Sequence, residues 1–335
     1  MSRPLITFAL FAYNQERFIR EAVRAALAQT YSPLEIIISD DCSQDRTFGI
    51  IQEEVAHYDG PHQVLLNRNH RNLGIGGHVN RVLELANGEL IVTAAGDDVS
   101  LPVRTEELVR VWSKGGISCV YSNLLVMDED GIDRGTFAEY TPRSIGSWQE
   151  VVQRGHGAVL GATQAWDRVV YDTFGPLPNR AFHEDYTMEF RSALLGTIAY
   201  LDKPLVRYRQ RDNELDLSQR IESYTAQARW FGTEYEGWLR DLGLFLSTHP
   251  DMRVETSRAI KIIRARIELY KFKGSAVDSA RMERMRGYLR VVKYAKELGI
   301  LSLMKVCFLG ASPKTYYRMQ GRYHKMRQWQ RKLVR

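Results

Sequence analysis

Asp97 and Asp98 close the segment TAAGDD (93–98), which continues from the apolar run ELIV (89–92). Adjacent carboxylates at the end of a buried strand repel each other, so either a cation holds them or they decorate a solvated turn. Hard cations such as Mn2+ and Mg2+ prefer oxygen ligands, and Mg2+ typically shares one or two carboxylates with substrate phosphates. The segment SDDCSQD (39–45) offers Asp40 and Asp41 as ligand acceptors or as an Asx-type turn. HED (183–185) joins an imidazole to two carboxylates, suited to a general base or to the first turn of a solvated helix. YRQRDN (208–213) adds Arg209 and Arg211, whose guanidinium forks grip phosphate bidentately.

The elements that must position these groups are legible as alternating periods. LITFALFAY (5–13) is a β-rich run, Asn14 is a candidate cap, and Phe18, Ala22, Ala25 and Ala26 recur at helical spacing after it. LEIIIS (34–39) is apolar at consecutive positions, the pattern of a strand covered on both faces. A helix over about 45–57, a strand over 63–66, a helix GGHVNRVLELANG closed by Gly88 and a strand ELIVTAA follow. This alternation predicts an α/β layered sheet. If its first, second and fourth strands are parallel, the polar ends FAYNQE (11–16), SDDCSQD and GDD meet at one carboxyl edge, where such sheets bind ligands. GIGG (74–77) suggests a phosphate cradle led by Gly74, but the first strand lacks GxGxxG; a tight turn is the better reading and a dinucleotide enzyme is disfavoured.

At 335 residues, with 44% hydrophobic and 26% charged, the chain has the composition of a globular protein with two unequal parts. Cys42, Cys119 and Cys307 have no CxxC spacing, which disfavours a disulfide framework or zinc site. No apolar run reaches the roughly 18–20 residues of a spanning helix, and the N-terminus reads as a strand, not a signal peptide, so a cytosolic protein is expected. Residues 1–220 hold 22 Lys and Arg against 30 acids, and residues 221–335 hold 24 against 10. The second part is helical in pattern. Its last stretch, 312–335, carries eight Lys or Arg, no acid, and Tyr316, Tyr317, Tyr323 and Trp329. That mixture suits contact with an anionic membrane surface better than nucleic acid, for which no motif is present.

Taken together, FALFAYNQERFIREAVRAALAQTY, LEIIISDDCSQDRT, NLGIGGHVNRVLELANGELIV, FGPLPNRAFHEDYTMEFRSALLG (174–196) and PLVRYRQRDNELDLS (204–218) resemble, in order and spacing, the family 2 glycosyltransferases. The resemblance implies a GT-A fold over 1–220 and a helical, basic region over 221–335. It implies an inverting enzyme that uses Mn2+ or Mg2+ and a nucleotide sugar, with a UDP-sugar as the expected donor. Asp98 would coordinate the metal, with Asp97 facing the sugar or ribose. Tyr13 would stack on the base, with the Phe11 backbone, Asn14, Glu16, Asp41 and Gly74 around the nucleotide; Phe11 and Ala12 replace the family's usual Pro-Thr. Asp185 would be the general base and Glu184 a supporting residue, while His183 is either an acceptor contact or a surface residue. The segment 204–218 would close over the donor, and Arg211 replaces a histidine common in relatives. Since Arg offers no lone pair to a metal, Arg209 or Arg211 is expected to clamp the diphosphate. The implied acceptor is a glycan on a carrier lipid at the inner face of a bacterial membrane, as in surface polysaccharide (O-antigen type) assembly. A nucleotidyltransferase is disfavoured by the missing glycine-rich signature and lysine after the first strand. A non-catalytic scaffold is disfavoured by the intact Asp97, Asp98 and Asp185.

Overall fold

In the computed structural model, residues 3–136, 142–155, 159–178, 183–210, 217–276, 278–313 and 316 are described. The chain divides into two compact units, 1–211 and 212–335.

The first unit begins as the alternation predicts: β1 (Ile6–Ala12), α1 (Ile19–Leu27), β2 (Leu34–Asp40), α2 (Thr47–Val55), β3 (Gln63–Arg68), α3 (Gly74–Leu85) and β4 (Leu90–Ala95). It continues with β5 (Val99–Ser100), α4 (Arg104–Trp112), β6 (Ile117–Met127), β7 (Asp133–Gly135), α5 (Trp148–Arg154), β8 (Gln164–Asp167), α6 (Arg168–Phe174), α7 (Glu184–Leu195) and β9 (Thr197–Arg209). The sheet runs β3-β2-β1-β4-β8-β6-β9-β5, with β7 beside β6. Strands β3, β2, β1 and β4 are mutually parallel. The consecutive apolar residues of β1, β2 and β4 are buried because helices cover both faces, Ile36, Ile37 and Ile38 of β2 being all inaccessible, whereas the edge strand β3 stays half-buried to exposed. The three polar strand ends therefore share one edge.

Beyond β4 the sheet turns mixed. β8 runs antiparallel to β4 and β6, while β6 and β9 are parallel. Two registers matter for function. Val92 lies opposite Ala165, so the 3-10 turn Gly161–Thr163 just before β8 lies alongside the carboxyl end of β4. Val99 lies opposite Arg207 in an antiparallel pair, so the residues before β5 face the end of β9.

Two local expectations are corrected. α1 starts at Ile19 after Phe18, without a side-chain cap, so Asn14 does not cap it. α3 ends at Leu85, capped by Ala86, not at Gly88. Gly88 is needed for a different reason: a Cβ there would stand 2.3 Å from the Thr7 amide nitrogen.

The second unit holds α8 (Leu217–Thr248), α9 (Arg253–Ser275), α10 (Arg281–Val292), α11 (Ala295–Leu298) and α12 (Ile300–Ala311). Leu269, Phe272, Ala276, Val291, Val306, Leu309 and Tyr316 form a core among them. Among the described residues no helix is long and apolar enough to cross a membrane.

Candidate active site

The edge where β1, β2 and β4 end is built by two loops that brace each other. Asn14, Gln15 and Glu16 donate their amides to Ser43 Oγ (2.8 Å), Thr47 Oγ1 (2.7 Å) and Asp45 Oδ2 (3.2 Å). In return Asn14 Oδ1 accepts from the Gln44 amide (2.9 Å) and Glu16 Oε2 from the Arg46 amide (3.0 Å). Asn14, at φ 49°, bends the chain left-handed, which Asn tolerates better than most residues. Asn14 and Glu16 thus shape the edge by tying loop to loop, and Ser43, Asp45 and Thr47 belong with them although their types alone did not single them out. Tyr13, 44% exposed, presents its ring outward at this edge. The Phe11 carbonyl accepts from the Gly96 amide (2.8 Å), which ties β1 to the turn carrying the acidic doublet.

Asp40 and Asp41 divide the two readings between them. Asp40 makes the local turn, accepting from the Ser43 amide (2.9 Å) and from its hydroxyl. Asp41 reaches across to the loop before α3: Oδ1 accepts from Asn69 Nδ2 (2.8 Å) and the Leu73 amide (2.9 Å), Oδ2 from the Gly74 amide (3.0 Å). The cradle suggested at Gly74 is therefore filled by the protein's own carboxylate, and Gly74, at φ 70°, serves a tight turn. A carboxylate has about four acceptor positions, so among the described residues one on Oδ2 stays open. His78, which the sequence did not distinguish, lies buried beneath the edge, with its ring edge-on to Phe11 and Nε2 2.7 Å from Ser39 Oγ. Burial pushes its pKa down, so it sits there neutral.

The doublet follows β4. Asp98 is 5% exposed and Asp97 half-buried. Asp98 Oδ1 accepts from the Arg209 amide (2.8 Å), whereas the buried Oδ2 has no hydrogen-bond partner among the described residues. Burial, then repulsion from Asp97, raises the Asp98 pKa to about 8. Arg104, fully buried below, has its pKa lowered to about 9 by burial and stays charged at neutral pH, with Nη1 donating to Ser100 Oγ (2.8 Å). A buried carboxylate oxygen without a donor is costly unless a cation meets it. Among the described residues no group of three or more His, Cys, Asp or Glu could hold a metal by itself. The doublet therefore fits the ligand set a hard cation takes when substrate phosphates complete the shell.

Arg209 does not offer the free fork expected of a phosphate clamp. It is the last residue of β9, and its Nε donates to the Asp97 carbonyl (2.9 Å), Nη1 to the Asp128 (3.2 Å) and Glu129 (2.9 Å) carbonyls, and Nη2 to Glu21 (2.9 Å). Its guanidinium also lies over the Phe18 ring, 4.5 Å from the centroid. The residue holds the doublet in place. Arg211, and residues 211–216 of the segment expected to close, lie outside the described residues.

The acid at 185 reaches the same edge through two hydrogen bonds. Thr93 of β4 donates its hydroxyl to the Gly161 carbonyl (2.8 Å), and the Gly161 amide donates to Asp185 Oδ2 (3.3 Å). A Cβ at Gly161 would lie 2.5 Å from Glu184 Oε1, the flexible end of that side chain, which would have to move aside. Asp185 and Glu184 open α7, with His183 before them packed on Tyr186. Burial raises the Asp185 pKa well above the usual carboxylate range, and the like charges of Glu184 and Glu189 add to it. Glu189 is itself buried and paired with Arg154 (2.9 Å).

Residues 7–161 match the family model "Glycosyl transferase family 2". The chain is 33% identical to the putative glycosyltransferase EpsE of Bacillus subtilis over 39% of its own length, and 33% identical to the succinoglycan biosynthesis protein ExoO of Rhizobium meliloti over 41%. It spans 47% and 38% of those relatives. Among solved structures, S. aureus TarS 1–349 in complex with UDP-GlcNAc superimposes with a TM-score of 0.54 at 16% identity, covering 94% of this chain and 92% of that one. The mannosyltransferase PcManGT from Pyrobaculum calidifontis, in complex with GDP-Man and Mn2+, gives 0.50 at 14% identity, covering 93% and 88%. Residues 7–161 thus match the glycosyltransferase family 2 model, and the fold is similar to that of the GT-A glycosyltransferases.

Proposed function

We propose that the protein transfers a sugar from a nucleotide sugar, a UDP-sugar by the reading of its sequence, to a hydroxyl of a glycan acceptor with inversion at the anomeric carbon. The observation that carries this is the acid at 185, tied through Gly161 to the strand that ends in Asp97 and Asp98. The exposed Tyr13 ring is the stacking surface for the base, and the open position on Asp41 Oδ2 accepts the base N–H. Asp98, with Asp97, would hold Mn2+ or Mg2+. When bound, that ion supplies countercharge to the departing diphosphate. Asp185 accepts the proton of the acceptor hydroxyl as it attacks, and Glu184 orients that hydroxyl. A single displacement opposite the leaving diphosphate inverts the centre. The raised affinity of Asp185 for a proton suits a base that works near neutral pH.

The relative named for succinoglycan biosynthesis supports a role in surface polysaccharide assembly. The acceptor is then a lipid-linked glycan at the inner face of a bacterial membrane, with the basic segment 312–335 against anionic lipid. The test is transfer or slow hydrolysis of a panel of nucleotide sugars with Mn2+. Activity with at least one donor, lost on chelation and in Asp185→Asn, is expected. Undiminished turnover in Asp185→Asn overturns the assignment of the base.

A further inference from the structure

Helix α10 turns an apolar stripe to solvent. Met282 is 69% exposed, and Met285 and Leu289 are 55% exposed. At 3.6 residues per turn these three fall within an arc of about 60°. The opposite face is fixed by packing: Gly287 and Val291 are buried, and a Cβ on Gly287 would stand 2.7 Å from the Phe272 ring of α9. That close approach leaves α10 no freedom to roll its stripe inward.

Charge indicates what covers it. Arg286 and Lys293, both exposed, flank the stripe on one side, within about 40° of Met282. Residues 281–296 hold six Lys or Arg against one acid, Glu283. Long basic side chains set beside exposed Met and Leu are the pattern of a helix lying in a headgroup layer, where apolar groups enter the acyl boundary and cations meet lipid phosphates. A protein partner would have to be both acidic and apolar along one narrow stripe. A lipid surface supplies both without specific shape. We infer that α10 is an interfacial helix that seats the second unit on an anionic membrane through Met282, Met285 and Leu289, with Arg286 and Lys293 on the headgroups.

This deepens the membrane part of the proposed function and moves its centre from the tail to a folded helix. Tyr316 packs in the core of the second unit, so a tail truncation that spares that core removes only 318–335. The experiment is co-sedimentation of the full chain with vesicles of equal parts phosphatidylcholine and phosphatidylglycerol. Three forms are compared with the native chain: Met282→Gln with Met285→Gln and Leu289→Gln; Arg286→Glu with Lys293→Glu; and the chain lacking 318–335. Because the altered side chains are exposed, melting temperature should stay within about 2 °C in the first two. The glutamine form should bind at least about tenfold more weakly, since three apolar side chains no longer enter the bilayer. The glutamate form should weaken similarly on charged vesicles and little on pure phosphatidylcholine. Glutamine-form binding equal to native overturns the inference; if the truncated chain then fails to bind, the tail reading survives alone. Absence of native binding overturns both. A native dimer that the glutamine substitutions convert to monomer assigns the stripe to a second copy and also overturns it.

Discussion

Replacing Arg209 with alanine separates the two roles available to it. Its side chain is 2% exposed and binds three carbonyls from two separate turns. Charge-assisted bonds to neutral acceptors contribute about 1.5 kcal/mol each once the cost of stranding the acceptors is included. The Glu21 pair adds at most about 0.5 kcal/mol, because Glu21 is more than half exposed. Arg209→Ala should therefore cost about 4–5 kcal/mol. For a domain of this size that lowers the melting temperature by about 10 °C. Arg209→Lys, with one compact ammonium in place of the fork, should recover less than half. The assay is thermal unfolding followed by fluorescence, paired with titration of Mn2+ and of a nucleoside diphosphate. With the doublet's brace gone, Mn2+ affinity should fall together with stability. An unchanged melting temperature with a selective rise in the donor KM would refute this reasoning and return Arg209 to the phosphate.

Further outcomes follow from the same geometry. Asp98 has a folded pKa of about 8, above its unfolded value, so without metal the native state holds the extra proton between about pH 4 and 8 and stability falls as pH rises through that window. Asp98→Asn should flatten this slope and melt several degrees above the native chain at pH 8 in chelator, while saturating Mn2+ should stabilise only the native chain. Asp185→Asn should lower kcat by about 10²–10⁴ with donor affinity within about twofold. The activity of the native chain should rise with pH as Asp185 loses its proton, and a pH-independent native rate would count against its role. Gly161→Ala should push aside the flexible end of Glu184, lowering kcat by about tenfold with little change in melting temperature, as steady-state kinetics and unfolding curves on one preparation would reveal.

The parallel half of the sheet was legible because β1, β2 and β4 are covered on both faces and so print unbroken apolar runs. Once those strands were recognised, the meeting of Tyr13, Asp41 and Asp98 at one edge followed from topology. The other half was not, because β8 and β9 are set by pairings across long sequence separations that no local period records. Arg104 has no cue at all: its surroundings come from β5 and from the residue that opens β8. The placement of Arg209 is hidden for a related reason. An arginine in YRQRDN suits a phosphate clamp, and only the register of β5 on β9 turns it back onto the doublet. Asn14, a candidate cap by its place just ahead of the helical pattern, instead accepts from a residue 30 positions along the chain.

The reciprocal bonds between residues 14–16 and 43–47 have a thermodynamic corollary. A recognition edge already fastened in this way has little conformational freedom left to surrender when a nucleotide arrives. Association at that end should resemble docking onto a rigid plate, with a modest entropy penalty and a heat-capacity change no larger than the area covered. Any sizeable ordering signal on binding donor would then originate elsewhere in the chain.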